Sequence, residues 1–186
     1  MNSECNQAAL IIIDMQKAFV EPGAAHCIAG AAATVPEIAK AAEKAREKGI
    51  PVFWVKRQYR ENGSDVEFTR YDSWLRGGRT MAPGSKGINS EELADGLEVK
   101  PGDYEIIKPR WSAFFQTELD LILRRLGVKT VILAGTTTPN CIRTTCYDSI
   151  ALDYRTVILS RCCSSATAEI QNANLLDMKN IGAEII

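Results

Sequence analysis

The residues best able to do chemistry in this chain close a short apolar run. Val131-Ile132-Leu133-Ala134 reads as a buried strand, and Gly135-Thr136-Thr137-Thr138-Pro139-Asn140-Cys141 follows before helical spacing resumes at Ile142-Arg143. Thr138 is a good N-cap, because its hydroxyl can accept from an orphan backbone N–H. Pro139 then falls at the first helical position, where a missing N–H costs nothing. Cys141 is thereby placed in the first helical turn, where free amides and the helix dipole favour an anion. A thiol there is expected to have a lowered pKa and a larger thiolate fraction, which suits a nucleophile. Spacing alone leaves open the alternative of a small, buried, inert side chain.

Two other reactive side chains stand at the ends of apolar runs. Ala8 to Ile13 is continuously apolar and short, as a strand buried on both faces should be, and Asp14 follows it. Tyr104 to Ile107 reads as a further short strand ending at Lys108, before Pro109. In open α/β sheets ligands bind outside the carboxyl ends of the strands, where all three side chains would converge. A loop carboxylate that caps the next turn is the plainer reading of Asp14. A cysteine nucleophile usually borrows a histidine as base. His26 is the only histidine and sits in a Gly/Ala-rich loop, where packing is the expected role, so a carboxylate is the better candidate base. Lys108 would hold a thiolate by charge, and backbone N–H groups before and at Cys141 could form an oxyanion hole.

The elements that must position these groups alternate along the chain. Residues 34–48 read as an amphipathic helix, with Thr34 as N-cap, Pro36 near the start, Glu37 at the capping-box position and Gly49 beyond the end. Residues 51–55 form the second strand, with Lys56, Arg57 and Gln58 emerging at its end. Further helices are expected at 117–126, from the cysteine motif to about 152, and at 166–179, with strands at 130–134, 156–159 and 183–186. Strands alternating with helices through right-handed crossovers give a parallel sheet covered on both faces. Residues 58–103 are polar and glycine-rich; so long a connection is usually functional, and a lid or specificity segment with a short helix at 91–97 is expected. Arg57, Arg70, Arg76 and Arg79 could bind a substrate carboxylate, although a solvated charge is the default for any one arginine.

Composition excludes several classes. The 186 residues suit one domain and are 46% hydrophobic and 24% charged, with a net charge of −1. Such a balance gives no electrostatic reason to expect nucleic acid or an anionic membrane as partner. No apolar run approaches a membrane span, and Met1-Asn2-Ser3-Glu4 lacks the basic and apolar segments of a signal peptide. Six cysteines without a secretory signal read as reduced thiols, so a cytoplasmic location is expected. The absence of CxxC pairs and the single histidine argue against a zinc site, and no cofactor is expected.

Three stretches together resemble the isochorismatase-like cysteine hydrolase superfamily over nearly the whole chain. They are Leu10-Ile11-Ile12-Ile13-Asp14-Met15-Gln16 with Phe19, Lys108-Pro109-Arg110-Trp111-Ser112-Ala113-Phe114, and Gly135-Thr136-Thr137-Thr138-Pro139-Asn140-Cys141-Ile142. The resemblance implies a three-layer Rossmann-like fold with a six-stranded parallel sheet, an Asp14-Lys108-Cys141 triad, and a homo-oligomer, dimer or tetramer. It also implies a cis peptide between Thr136 and Thr137 that aims the Thr137 and Cys141 amides at an oxyanion. Departures are informative. Nicotinamidase members carry an Asp-x-His metal motif where this chain reads Lys56-Arg57-Gln58-Tyr59-Arg60, and vinyl-ether-cleaving isochorismatases lack the cysteine. Thr138-Pro139-Asn140 replaces a common Thr-Asn-x, and Arg161 stands where an aspartate is usual. The segment with Gly63-Ser64-Asp65-Val66-Glu67 looks like the branch of ureido- and carbamoyl-amide hydrolases.

The implied function is a metal-independent amidohydrolase that cleaves a small linear amide through a thioester and releases ammonia. Gln16, Phe19, Arg57 and Trp111 are expected to line its pocket, with plain core packing the alternative for Phe19 and Trp111. Two other readings stand beside it: a hydrolase of a cyclic or aryl amide, nicotinamidase-like, and a non-catalytic oligomeric or thiol-sensing protein, for which Cys146, Cys162 and Cys163 are the motive.

Overall fold

β1 (Ala8–Ile13) is buried along its whole length, and its side chains divide between two cores. Ala9, Ile11 and Ile13 face one, while Leu10 and Ile12 face the other. A strand covered on both faces needs an unbroken apolar run rather than an alternating one, which is what residues 8–13 supply. The structure, a computed structural model, describes residues 7–186, so the signal-peptide reading of Met1 to Glu4 lies outside the described residues.

After β1 the elements are α1 (Lys17–Val20), α2 (Ala31–Glu47), β2 (Val52–Arg57), α3 (Tyr71–Arg76), β3 (Tyr104–Lys108), α4 (Leu119–Arg125), β4 (Thr130–Thr136), α5 (Arg143–Ala151), β5 (Arg155–Ser164), α6 (Ala168–Asn180) and β6 (Glu184–Ile185). Every strand pairing is parallel, in the order β3-β2-β1-β4-β5-β6. That order is doubly wound: it reverses between β1 and β4, and a crevice opens beyond the carboxyl ends of those strands. α2 covers one face through Ala31, Ile38, Ala42 and Ala45. α4, α5 and α6 cover the other through Leu119, Leu123, Cys146 and Met178. The result is the expected three-layer α/β architecture with six parallel strands. Among the described residues, no helix is long and apolar enough to cross a membrane.

Several boundaries differ from the sequence reading, each for a physical reason. α2 begins at Ala31 behind Gly30 rather than at a Thr34 cap. The alanines at 31–33 are strong helix formers and extend the helix backwards, and the Thr34 hydroxyl donates to the Ala31 carbonyl at 2.7 Å. The helix expected at 91–97 is absent. Leu93 instead bridges to Gln16, Lys17 N–H donates to Glu92 O at 2.8 Å, and Ala94 N–H donates to Met15 O at 2.9 Å, so this stretch meets its backbone needs against the chain after β1. The helix of this long segment is α3, which buries Trp74. β5 continues well past Leu159: its register with β4 is interrupted after Leu133–Ile158 and resumes at Gly135–Cys163 and Thr136–Ser164.

Candidate active site

Each reactive side chain is placed by a strand end. Asp14 follows β1 and turns into the left-handed region at φ 55°, while its N–H donates to Val55 O of β2 at 2.9 Å. Aspartate tolerates this conformation better than most residues, and the turn lifts the carboxylate out of the sheet plane. Directly beside it, Gly135 of β4 passes so close that a Cβ would lie 2.0 Å from the Ile13 carbonyl oxygen. Lys108 ends β3, and its side chain crosses the end of β2 to reach Asp14. Cys141 lies in a single wide turn, Thr138–Ile142, that leads into α5. The chain enters this turn at Thr137, one residue before the expected cap; the Thr138 hydroxyl donates instead to Ser164 O at 2.9 Å, and Thr137 Oγ1 to the same oxygen at 3.3 Å. The peptide between Thr136 and Thr137 is cis.

Asp14, Lys108 and Cys141 are 0%, 0% and 3% exposed and in mutual contact. Lys108 Nζ donates to Asp14 Oδ2 at 2.8 Å, to Arg110 O at 2.9 Å and to Cys141 Sγ at 3.7 Å. All three ammonium protons are thereby occupied, as a buried lysine cation requires. The second carboxylate oxygen, Asp14 Oδ1, is buried without a partner. One oxygen therefore holds the lysine while the other is free to take a proton.

The expectation of a lowered thiol pKa is overturned. Burial pushes the Cys141 thiol up to about 12 and the Asp14 charge adds to the rise, while Lys108 and Arg57 pull it back only in part. The helix start cannot match the desolvation of a site closed to water. Cys141 therefore rests as a thiol and must lose its proton to a neighbour as it reacts. Burial also raises Cys146 to about 12 and Cys162 to about 11, and raises Cys163. An unfolded chain gives up these protons near the ordinary thiol value while the fold retains them, so stability is lost as pH rises beyond about 9. Each of the four thiols is expected to remove about 1 kcal/mol per pH unit from there to about pH 11. Urea unfolding under reducing conditions should show a clearly lower midpoint at pH 10 than at pH 8; equal midpoints would contradict the burial argument.

The weaker sequence candidates separate. Gln16 is fully buried and lines no pocket: its amide nitrogen donates to Arg57 O at 2.8 Å and Glu91 O at 3.0 Å, and its oxygen accepts from Arg57 N–H at 2.7 Å. It pins β2 and the 58–103 segment to the end of β1. Phe19 packs in a small apolar cluster with Tyr59, Trp74 and Met81, beside His26, so core packing is its role. Arg57 is 2% exposed, ion-paired with Glu67, and lies 5.6 Å from the ring centre of Trp111 and 5.3 Å from that of Tyr59. Tyr59 Oη donates to the other Glu67 oxygen at 2.7 Å. Glu67 and Tyr59 are the partners that the sequence reading missed. Nothing local marks a carboxylate of a polar loop as the counterion of an arginine ten residues back. His26 is held neutral by burial and by the nearby Arg70 and Arg57 charges.

The place of a metal motif after β2 does not fit a divalent cation. Lys56 pairs with Glu105, Arg57 with Glu67, and Gln58 bonds to Glu91, so two cations and an amide stand where acidic and imidazole donors would be needed. Among the described residues, no three His, Cys, Asp or Glu side chains are grouped to hold a metal.

The fold and site define a doubly wound α/β protein with a thiol, a carboxylate and an ammonium buried together at the switch point of its sheet. The isochorismatase domain model matches residues 8–186, and the chain belongs to that family of hydrolases. It is similar to an isochorismatase family protein of Desulfovibrio vulgaris whose crystal structure superposes with a TM-score of 0.92 at 44% identity, covering 96% of this chain and 93% of that one. An Arabidopsis thaliana protein named "Probable inactive nicotinamidase" is 42% identical over 186 residues, 99% of this chain and 94% of that protein. The ureidoacrylate amidohydrolase RutB of Caulobacter segnis is 31% identical over 193 residues, covering 92% of this chain and 79% of that enzyme.

Proposed function

We propose that this chain is a metal-independent cysteine amidohydrolase of a small linear amide, of carbamoyl or ureido type. The observation that carries the reading is the division of labour at Asp14. Oδ2 anchors Lys108, which touches Cys141 Sγ, and Oδ1 is an unpartnered buried acceptor. A thiol held near pKa 12 needs such an acceptor at the moment of attack.

Cys141 Sγ bonds to the carbonyl carbon as the thiol proton passes to Asp14, and negative charge gathers on the carbonyl oxygen, facing the Thr137 and Cys141 amides. Lys108 offsets the charge on sulfur during attack. Asp14 returns the proton to the leaving nitrogen, the C–N bond breaks and ammonia departs, leaving a thioester. Water then attacks that carbonyl, Asp14 takes its proton, and the C–S bond breaks to restore the thiol.

The printed name of the ureidoacrylate amidohydrolase supports the linear-amide class. The word "inactive" in the Arabidopsis name describes that protein, while this chain retains thiol, carboxylate and ammonium in contact. Ammonia release from a panel of carbamoyl, ureido and simple amides, wild type beside Cys141→Ala, tests the proposal. Release that vanishes in the variant establishes the class. A variant as active as the wild type removes Cys141 from the mechanism.

A further inference from the structure

Between the sheet end and the 58–103 segment lies a cavity of about 230 Å³, lined among others by His26, Tyr59, Arg70, Trp74 and Thr80. It is continuous with the reactive centre through two aromatic rings. The Tyr59 ring in its wall meets Arg57, and Trp111, which follows the Arg110 carbonyl gripping Lys108, lies against both Arg57 and Arg70 at 5.6 and 5.4 Å from its ring centre. Arg57 is felt by both Cys141 and Asp14, so its guanidinium stands within electrostatic reach of the reacting atoms.

Charges along this route do not cancel. Asp14 offsets Lys108 and Glu67 offsets Arg57, but Arg70 has no ion-pair partner among the described residues. His26 is held neutral and supplies no further charge. A second polar function is also unfulfilled: Arg57 Nε is buried without a hydrogen-bond partner. Buried donors are rarely left so, and here one faces the same ring as an unpaired cation. Two guanidinium groups flanking a tryptophan, one with a spare donor and one with a spare charge, match a carboxylate held against an aromatic wall.

We infer that Arg57 and Arg70 bind the anionic end of the substrate, so that the substrate class is a carbamoyl or ureido compound carrying a carboxylate. For the reacting end of that ligand the inference rests on the amidohydrolase reading. Glu67 orients Arg57 from behind, and Tyr59 and Trp111 flank the linking atoms. Arg70 is the specificity residue best suited to substitution, because it is only partly buried and ties no structural pair.

Calorimetric titration of full-length Cys141→Ala with ω-ureido carboxylic acids of graded chain length, each beside its methyl ester, tests this. The acid is expected to bind about 10- to 100-fold tighter than the ester at the best length. Adding Arg70→Gln should bring the two close to parity, and Arg70→Lys should retain part of the preference. Equal binding of acid and ester at every length, no binding of any acid, or an undiminished preference in Arg70→Gln overturns the inference. Ammonia release from neutral ureas by the wild type would then leave the amidohydrolase reading standing alone. Preferential acid binding without ammonia release from any compound would do the reverse.

Discussion

Asp14→Asn is expected to lower kcat/KM by at least about 1,000-fold while making the Cys141 thiol more reactive towards alkylation. The two effects have opposite signs because Asp14 acts on the thiol in two ways. Its negative charge holds the proton on sulfur, adding to the rise to about 12 that burial begins. At neutral pH that value leaves only ~10⁻⁵ of the sulfur as thiolate, so turnover depends on Oδ1 taking the proton during attack. Asparagine cannot take it, yet it removes the charge that opposed ionisation and leaves Lys108 beside the sulfur at 3.7 Å. Iodoacetamide labelling at Cys141 should therefore speed up in the variant whose ammonia release collapses. The substitution also strips the buried Lys108 of its counterion, at a cost of about 3–5 kcal/mol, so both rates are to be compared below the melting temperature of the variant. A variant that keeps a tenth of the wild-type rate, or whose thiol labels more slowly, would mean that Asp14 is not the base.

Gly135→Ala is expected to be the most damaging small substitution in the chain, with a loss of more than about 4 kcal/mol. The added Cβ would meet Ile13 O at 2.0 Å, Ile13 N at 2.7 Å and Ile13 C at 2.9 Å, and all three are backbone atoms of the neighbouring strand. The backbone at Gly135 also lies at φ +119°, outside what an alanine readily adopts. Relief requires β1 and β4 to part at the residue before Asp14, which disturbs the fold and the site at once. Against a total stability of about 5–15 kcal/mol, little folded protein should remain. Gly49→Ala is the informative comparison. It too has a positive φ, of +67°, but its Cβ meets nothing within 4 Å, so a loss of about 1 kcal/mol is expected. Thermal melts of the two variants side by side decide the matter. A Gly135→Ala protein that melts within a few degrees of the wild type would show that the strands can separate there without penalty.

Local pattern carried a good deal of this molecule. Residues 8–13 and 130–136 could be read as buried strands because a strand covered on both faces is apolar without interruption. Asp14, Lys108 and Cys141 could be picked out because each reactive side chain directly follows such a run, and parallel winding brings strand ends to one edge. The resemblance of three short motifs was enough for the family. Other features depend on what packs against what. The proton on Cys141 was misjudged from a helix start, because the depth of burial is a property of the folded site. Gln16 was mistaken for a pocket residue since its three backbone partners come from residues 57 and 91, far along the chain. Thr34 and Thr138 each carried a capping signal, but tertiary packing and alanine propensity moved the helix starts. The pairing of Arg57 with Glu67, and the unpaired charge of Arg70 beside Trp111, arise only when the 58–103 segment folds over the sheet end. Strand periodicity is a local, repeated signal and survives in one dimension. Burial, counterions and the walls of a cavity are set by residues distant in sequence, and only the tertiary structure decides them.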